Sequence, residues 1–143
     1  MNGSSNQNVY AVKVFTLNFT KLASGLAANS YTLVTTAGAN ASVVKDILFR
    51  SLDATARLFN IIICPTGSST TDYYSIVQVS IPANSGNNGT TTIASLAALA
   101  PSLFDIDMAG NRALGLESTM SIYVQNTTAL AGDFHVMVRQ GDF

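Results

Sequence analysis

Three groups of residues in this chain have side chains with the chemistry of a site. Asp105 and Asp107 in LFDIDM, with Asp133 further on, offer oxygen donors of the kind that hold a hard cation. A Ca²⁺ site wants about six to eight oxygens, however, and Asp-x-Asp in a strand is more often a solvated face. His135 in FHVMV has a ring that can act as a base beside a carboxylate, and Cys64 in IIICP could meet it as a thiolate. Neither stands in a nucleophile motif, Ile63 and Pro65 mark Cys64 as a buried or strand-end thiol, and a single strand histidine is a packing residue in the absence of partners. The sequence therefore assigns no catalytic residue, no metal and no cofactor, and the expectation is a protein that is not an enzyme. Gly86 and Gly89 have neither P-loop nor dinucleotide spacing. Tyr31, Tyr73 and Tyr74 form the third group. A tyrosine ring offers an apolar body with a polar tip, so these three are the candidate glycan contacts.

The elements that must position these residues read as strands. Ser42 to Pro65 is the organising stretch, two β-branched runs about a short polar connection, expected to form a hairpin. Val44, Leu48, Phe59, Ile61 and Ile63 alternate with Ser42, Asp46, Arg50, Asn60 and Cys64. Ile47, Phe49 and Ile62 break the alternation and put apolar groups on the second face, which must meet another layer or another copy of the chain. Tyr10 to Thr20 sets Ala11, Lys13, Phe15, Leu17 and Phe19 against Val12, Val14, Thr16 and Asn18, a strand with a heavy aromatic face. Further strands are expected over Tyr31 to Thr36, Tyr73 to Ile81, Thr91 to Ile93, Leu103 to Met108, Arg112 to Glu117, Met120 to Gln125 and Phe134 to Arg139. Ser95 to Leu99 reads as a helical turn ended by Pro101. Gly, Asn and Pro punctuate the connections, most strongly in PANSGNNGT. Close strand spacing, many turns and no long amphipathic helix predict an all-β fold, an antiparallel β-sandwich of the jelly-roll kind. Met1 to Asn8 is too polar to fold alone, so residues 1–9 are expected to be a flexible N-terminal arm and 10–143 a single sandwich domain.

Only 10% of the 143 residues are charged, and the formal net charge is −1. Ser, Thr, Asn and Gly must supply the polar surface. Lys13, Lys21, Lys45, Arg50, Arg57, Arg112 and Arg139 are scattered along the chain, which argues against direct nucleic-acid binding. The apolar runs are far shorter than a membrane span, MNGSSNQN has no secretory signal pattern, and one cysteine forms no intrachain disulfide. Small net charge also keeps self-repulsion small, as the packing of many copies requires.

SYTLVTTAGANASVVKDILFRSLDATARLFNIIICPTGSS resembles the small β-sandwich virion proteins of tailed phages, through Tyr31, Leu33, Val43, Val44, Lys45, Ile47, Phe49, Ile61, Ile63, Pro65 and Gly67. LGLESTMSIYVQNTTALAGDFHVMVRQGDF is similar to that family's terminal strand pair. The strand Tyr10 to Phe19 and the segment Ala94 to Phe104 depart from the pattern. The resemblance implies a structural protein of the virion, made in the host cytoplasm and placed on the capsid surface. In this reading it is a decoration (cement) protein that lies across joins of the major capsid protein, as a homotrimer, and stabilises the mature head. Asn2, Gln7, Asn8 and Tyr10 of the arm would contact the capsid by strand addition, and Ile47, Phe49 and Ile62 would form the oligomer interface. The alternative it implies is a tail or head-fibre component that binds a host receptor or glycan.

Overall fold

The computed structural model describes residues 15–67, 72–106 and 108–143, so the arm contacts Asn2, Gln7, Asn8 and Tyr10 lie outside the described residues, as does Asp107. The strands are β1 (Phe15–Leu22), β2 (Tyr31–Thr36), β3 (Ser42–Ser51), β4 (Arg57–Cys64), β5 (Tyr74–Ile81), β6 (Ala94–Ser95), β7 (Asp105–Ile106), β8 (Arg112–Leu116), β9 (Ser121–Asn126) and β10 (Phe134–Asp142). A single helical turn, α1 (Leu96–Leu99), is capped by Ser95, whose hydroxyl accepts from the Ala98 amide. A 3₁₀ turn at Pro101–Leu103 follows it, so the expected strand over Leu103 to Met108 shortens to β7.

The first sheet runs β1-β10-β3-β8-β7, with β6 also paired to β3, and the second runs β2-β9-β4-β5. Each ladder is antiparallel. From β1 to β4 the chain alternates between the sheets, β9 and β10 fill the gaps left by earlier strands, and the result is a jelly-roll sandwich. The fold class expected from sequence is the one observed. The central stretch is not a hairpin, however. β3 pairs with β10, β8 and β6, whereas β4 pairs with β5 and β9, so residues 52–56 cross from one sheet to the other.

Phe49, Phe59 and Phe134 meet edge to face or tilted at the middle of the sandwich, with ring centroids 5.0 to 5.7 Å apart. Ile47, Ile61, Ile122, Val124, Val136 and Val138 complete that core. The placement of Ile47 and Phe49 on a second face for oligomerisation is thus overturned: both are 0% exposed between the sheets. The cause is a β-bulge. Asp46 pairs with Arg139 and Val44 with Gln140, which leaves Lys45 as the extra residue and shifts the inward phase from Val44 to Ile47 and Phe49. Leu48, counted inward by simple alternation, therefore faces out beside Met137. Ile62 does lie on the outer side of the second sheet, level with Tyr123, but at 3% exposure it offers no free contact surface.

Two polar clusters seal the ends of the sandwich. At one end Asp53, 1% exposed, accepts from Arg57 Nε at 2.7 Å, from the Thr55 amide at 2.9 Å and from the Ala131 amide at 3.0 Å. Burial alone would raise its pKa, but these donors outweigh the loss of hydration and hold the carboxyl below the usual aspartate value. Gly132 belongs to the same cluster, because a Cβ there would stand 2.6 Å from Asp53 backbone atoms. At the other end Asn18 of β1 donates to Thr35 of β2, and Thr35 in turn bonds Gln140 of β10. Gln140 Nε2 donates to the Thr36 carbonyl at 2.9 Å and to Asp142 at 2.9 Å.

Candidate binding faces

The register of β1 decides what the first sheet shows to its surroundings. Leu22 pairs with Phe134, Thr20 with Val136 and Asn18 with Val138, all on the inward side. That side of β1 is polar apart from Leu22, and Asn18 is spent on the bond to Thr35 across the sandwich. Phe15, Leu17 and Phe19 consequently point out, at 42%, 44% and 71% exposure. The strand is amphipathic with its apolar side toward solvent, the reverse of the usual arrangement for a half-buried strand. Met137 of β10 and Leu48 of β3 continue the apolar strip across the sheet. Among the described residues β10 is the only strand paired with β1, so the strand also forms an edge.

Cations frame this strip. Lys45, Arg112 and Arg139 line a cleft of about 490 Å³ at the Phe15 end, with Lys45 Nζ 5.4 Å from the Phe15 ring centroid. Lys21 and Arg50 line a cleft of about 350 Å³ at the Phe19 end, together with His135. Five of the seven Lys and Arg residues, distant in sequence, thus share one outer face. Arg50 donates to the Gly86 carbonyl at 3.2 Å and to Asn87 Oδ1 at 2.8 Å. His135 Nδ1 lies 3.3 Å from its Nη1 and accepts, since a guanidinium only donates.

The second sheet shows a different surface. Tyr31 and Tyr73 have ring centroids 4.7 Å apart, and Tyr73 and Tyr123 4.8 Å, so three tilted rings stand in a row. Burial and a hydrogen bond with Tyr123 push the Tyr73 phenol up to about 12. Beside the row, Gln78 Nε2 donates to Asn60 Oδ1 at 3.1 Å, and Asn60 Nδ2 donates to Gln125 Oε1 at 3.0 Å. Gln125 is the cross-strand partner of Tyr31. The outward positions of β2, β4, β5 and β9 carry tyrosines, amides, hydroxyls and aliphatic groups, and no charged side chain.

The structure brings two of the three candidate glycan contacts together and separates the third. Tyr74 pairs with Ile63 on the side opposite to Tyr73 and is 57% exposed. Tyr123 takes its place in the row. Its outward phase in SIYVQN is visible in the alternation, but its nearness to Tyr31 and Tyr73 depends on the pairing order β2-β9-β4, which no local signal encodes. Cys64 and His135 are not brought together: Cys64 is buried in β4 of the second sheet, while His135 lies on the outer face of the first. Asp133 is held by the Ser24 amide at 2.7 Å and by Lys21 at 3.1 Å, contacts that keep its pKa below the ordinary value. Asp105 sits on β7, across the first sheet from Lys21 on β1. Among the described residues no three of His, Cys, Asp and Glu gather as a metal site, and no helix is long and apolar enough to cross a membrane.

No family model matches the chain, and no curated protein is significantly similar to it. Among solved structures it is similar to a chain of the cyanophage Pam1 capsid asymmetric unit, with a TM-score of 0.44 and 12% identity, over 91% of this chain and 84% of that one.

Proposed function

We propose that this chain is a structural protein of a tailed-phage virion, a decoration protein that binds the major capsid protein on the capsid surface and stabilises the mature head. The observation that carries the reading is the inverted strand β1. Three large apolar side chains face outward from an edge, where a protein working alone covers them only in part and one working in an assembly buries them. The sequence pattern of Tyr31 to Gly67 supports the same reading, as does the low net charge that lets many copies pack. The proposed role needs no catalytic step and no cofactor. Binding to the mature shell alone would stabilise that state by mass action. The homotrimer remains part of the proposal, with its contact elsewhere than Ile47, Phe49 and Ile62.

The experiment is the copy number of the chain in purified particles, measured by quantitative mass spectrometry against the major capsid protein. A ratio comparable to the capsid subunit is the expected result, and absence from particles overturns the reading. A ratio far below it favours a second reading, a tail or head-fibre module that binds a host glycan. The observation that favours this second reading is the row Tyr31, Tyr73 and Tyr123 beside Gln125, an aromatic platform next to an amide. Its check is a glycan array with the Tyr31→Ala and Tyr73→Ala double variant, in which loss of a wild-type signal is expected.

A further inference from the structure

We infer that the outer face of the first sheet takes an extended, acidic segment of a neighbouring protein, laid along β1 with carboxylates at both ends of an apolar centre. The inference rests on the assembly reading above and names what that face would hold. Its first ground is charge. Among the described residues Lys21, Lys45, Arg50, Arg112 and Arg139 stand on this face with two carboxylates, Asp46 and Asp133, and both of these are engaged locally. Asp46 accepts from the Ile47 and Ala97 amides at 2.8 and 3.0 Å and from the Ser95 hydroxyl at 2.5 Å. Asp133 is bound to Ser24 and Lys21. Among the described residues no carboxylate lies within ion-pair distance of Lys45, Arg50, Arg112 or Arg139. The hydrogen bonds of Arg50 and Arg112 go to neutral acceptors, Arg112 to the Ala97 carbonyl at 3.0 Å, so among the described residues these guanidinium groups are oriented without a paired carboxylate. A partner that carries negative charge complements this face.

The second ground is spacing. One cationic cleft includes Phe15 and the other Phe19, four residues apart on one strand and therefore about 13 Å apart. Leu17 lies between them, with Met137 beside the second cleft. A segment matched to this face carries acidic side chains at positions i and i+4 and an apolar one at i+2, all on one side of an extended chain. Among the described residues no strand pairs with the outer edge of β1, which gives such a segment backbone partners as well. A nucleic acid fits less well, because its evenly spaced phosphates would lie against Leu17 and Met137 between the two cationic clefts.

The test is fluorescence anisotropy of the full chain with the labelled peptide Thr-Glu-Thr-Val-Thr-Glu-Thr, its analogue with both Glu changed to Lys, and oligothymidine. The Glu peptide should bind about tenfold more tightly than the Lys analogue, and the preference should fall severalfold between about 50 and about 300 mM salt. The Lys45→Glu, Arg139→Glu variant should lose it, with an unchanged melting temperature showing that the sandwich is intact, and Phe19→Ser should weaken both peptides. Equal binding of the two peptides, or binding of neither, overturns the inference. Tighter binding of oligothymidine than of the Glu peptide overturns it in favour of nucleic acid, and self-association abolished by Arg139→Glu overturns it in favour of a second copy. Failure of the assembly reading is distinguishable. A chain that selects the Glu peptide but is absent from particles removes the virion and keeps the face, whereas an abundant particle protein without peptide selectivity does the opposite.

Discussion

The two outer faces of this sandwich are made from the same strand alternation and present opposite chemistries. On the first sheet, β1 turns Phe15, Leu17 and Phe19 outward and five cations surround them. On the second, three tyrosines and a ladder of Asn and Gln amides leave no charge at the outward positions. The inner faces are constrained by each other, since every large group there must fit a neighbour. The outer faces are free of that constraint, so their difference reflects what lies outside the molecule. An apolar and cationic face suits burial against an acidic protein surface. A face of rings and amides suits a neutral, hydroxyl-rich ligand or plain hydration.

The comparison breaks first if the outward phenylalanines turn out to hold the fold together. Phe49→Ala, in the core, should cost about 3–5 kcal/mol of unfolding free energy, whereas Phe19→Ala should stay within about 0.5 kcal/mol. Urea denaturation of both variants decides it, and a large loss for Phe19→Ala would make β1 a strand stabilised within the monomer. Arg57→Ala comes next. It leaves Asp53 buried without its guanidinium, and breaking a buried pair in this way costs about 3–5 kcal/mol at neutral pH. The pH sign follows from the depressed pKa. The folded carboxyl titrates below the unfolded one, so its contribution is fully present above the unfolded value near 3.8 and is lost as pH falls through the folded value. The wild type should therefore lose stability on acidification below about pH 4, and Arg57→Ala should show a flatter acid limb in the same melts.

The legible part of the fold was the part set by neighbours in sequence. β2 matches its expected bounds, β5 and β8 differ by one residue at one end, and the helical turn after Ser95 is where Pro101 and the small residues place it. The missed parts are nonlocal. A bulge at Lys45 changes the phase of β3 only because β10 supplies the facing register, and nothing within SVVKDILFRS announces it. The sheet crossing after Ser51 is invisible for a related reason, because two strands alternate with period two whether or not they pair with each other. The aromatic side of β1 was readable but its direction was not. That direction follows from Asn18, Thr35 and Gln140, residues from three strands that meet at one end of the sandwich. The cations follow the same logic, scattered along the chain and gathered by the sheet order.

The smallest expected effect tests the second face. Tyr73 stands between Tyr31 and Tyr123, so its phenolate would form with little hydration and in competition with the hydrogen bond to Tyr123, and its pKa is raised to about 12. Because the folded value lies above the unfolded value of 10.0, the protonated phenol favours the folded state fully below pH 10, and that contribution fades as pH rises toward 12. Ultraviolet titration of the folded chain should contain one late tyrosine component, which Tyr73→Phe removes and Tyr123→Phe moves to lower pH. A late component that survives Tyr73→Phe would mean that the row is not packed as described. The platform beside Gln125 would then lose its basis, and the outer face of the second sheet would reduce to a hydrated surface, while the cationic face of β1, on the other side of the sandwich, would be untouched.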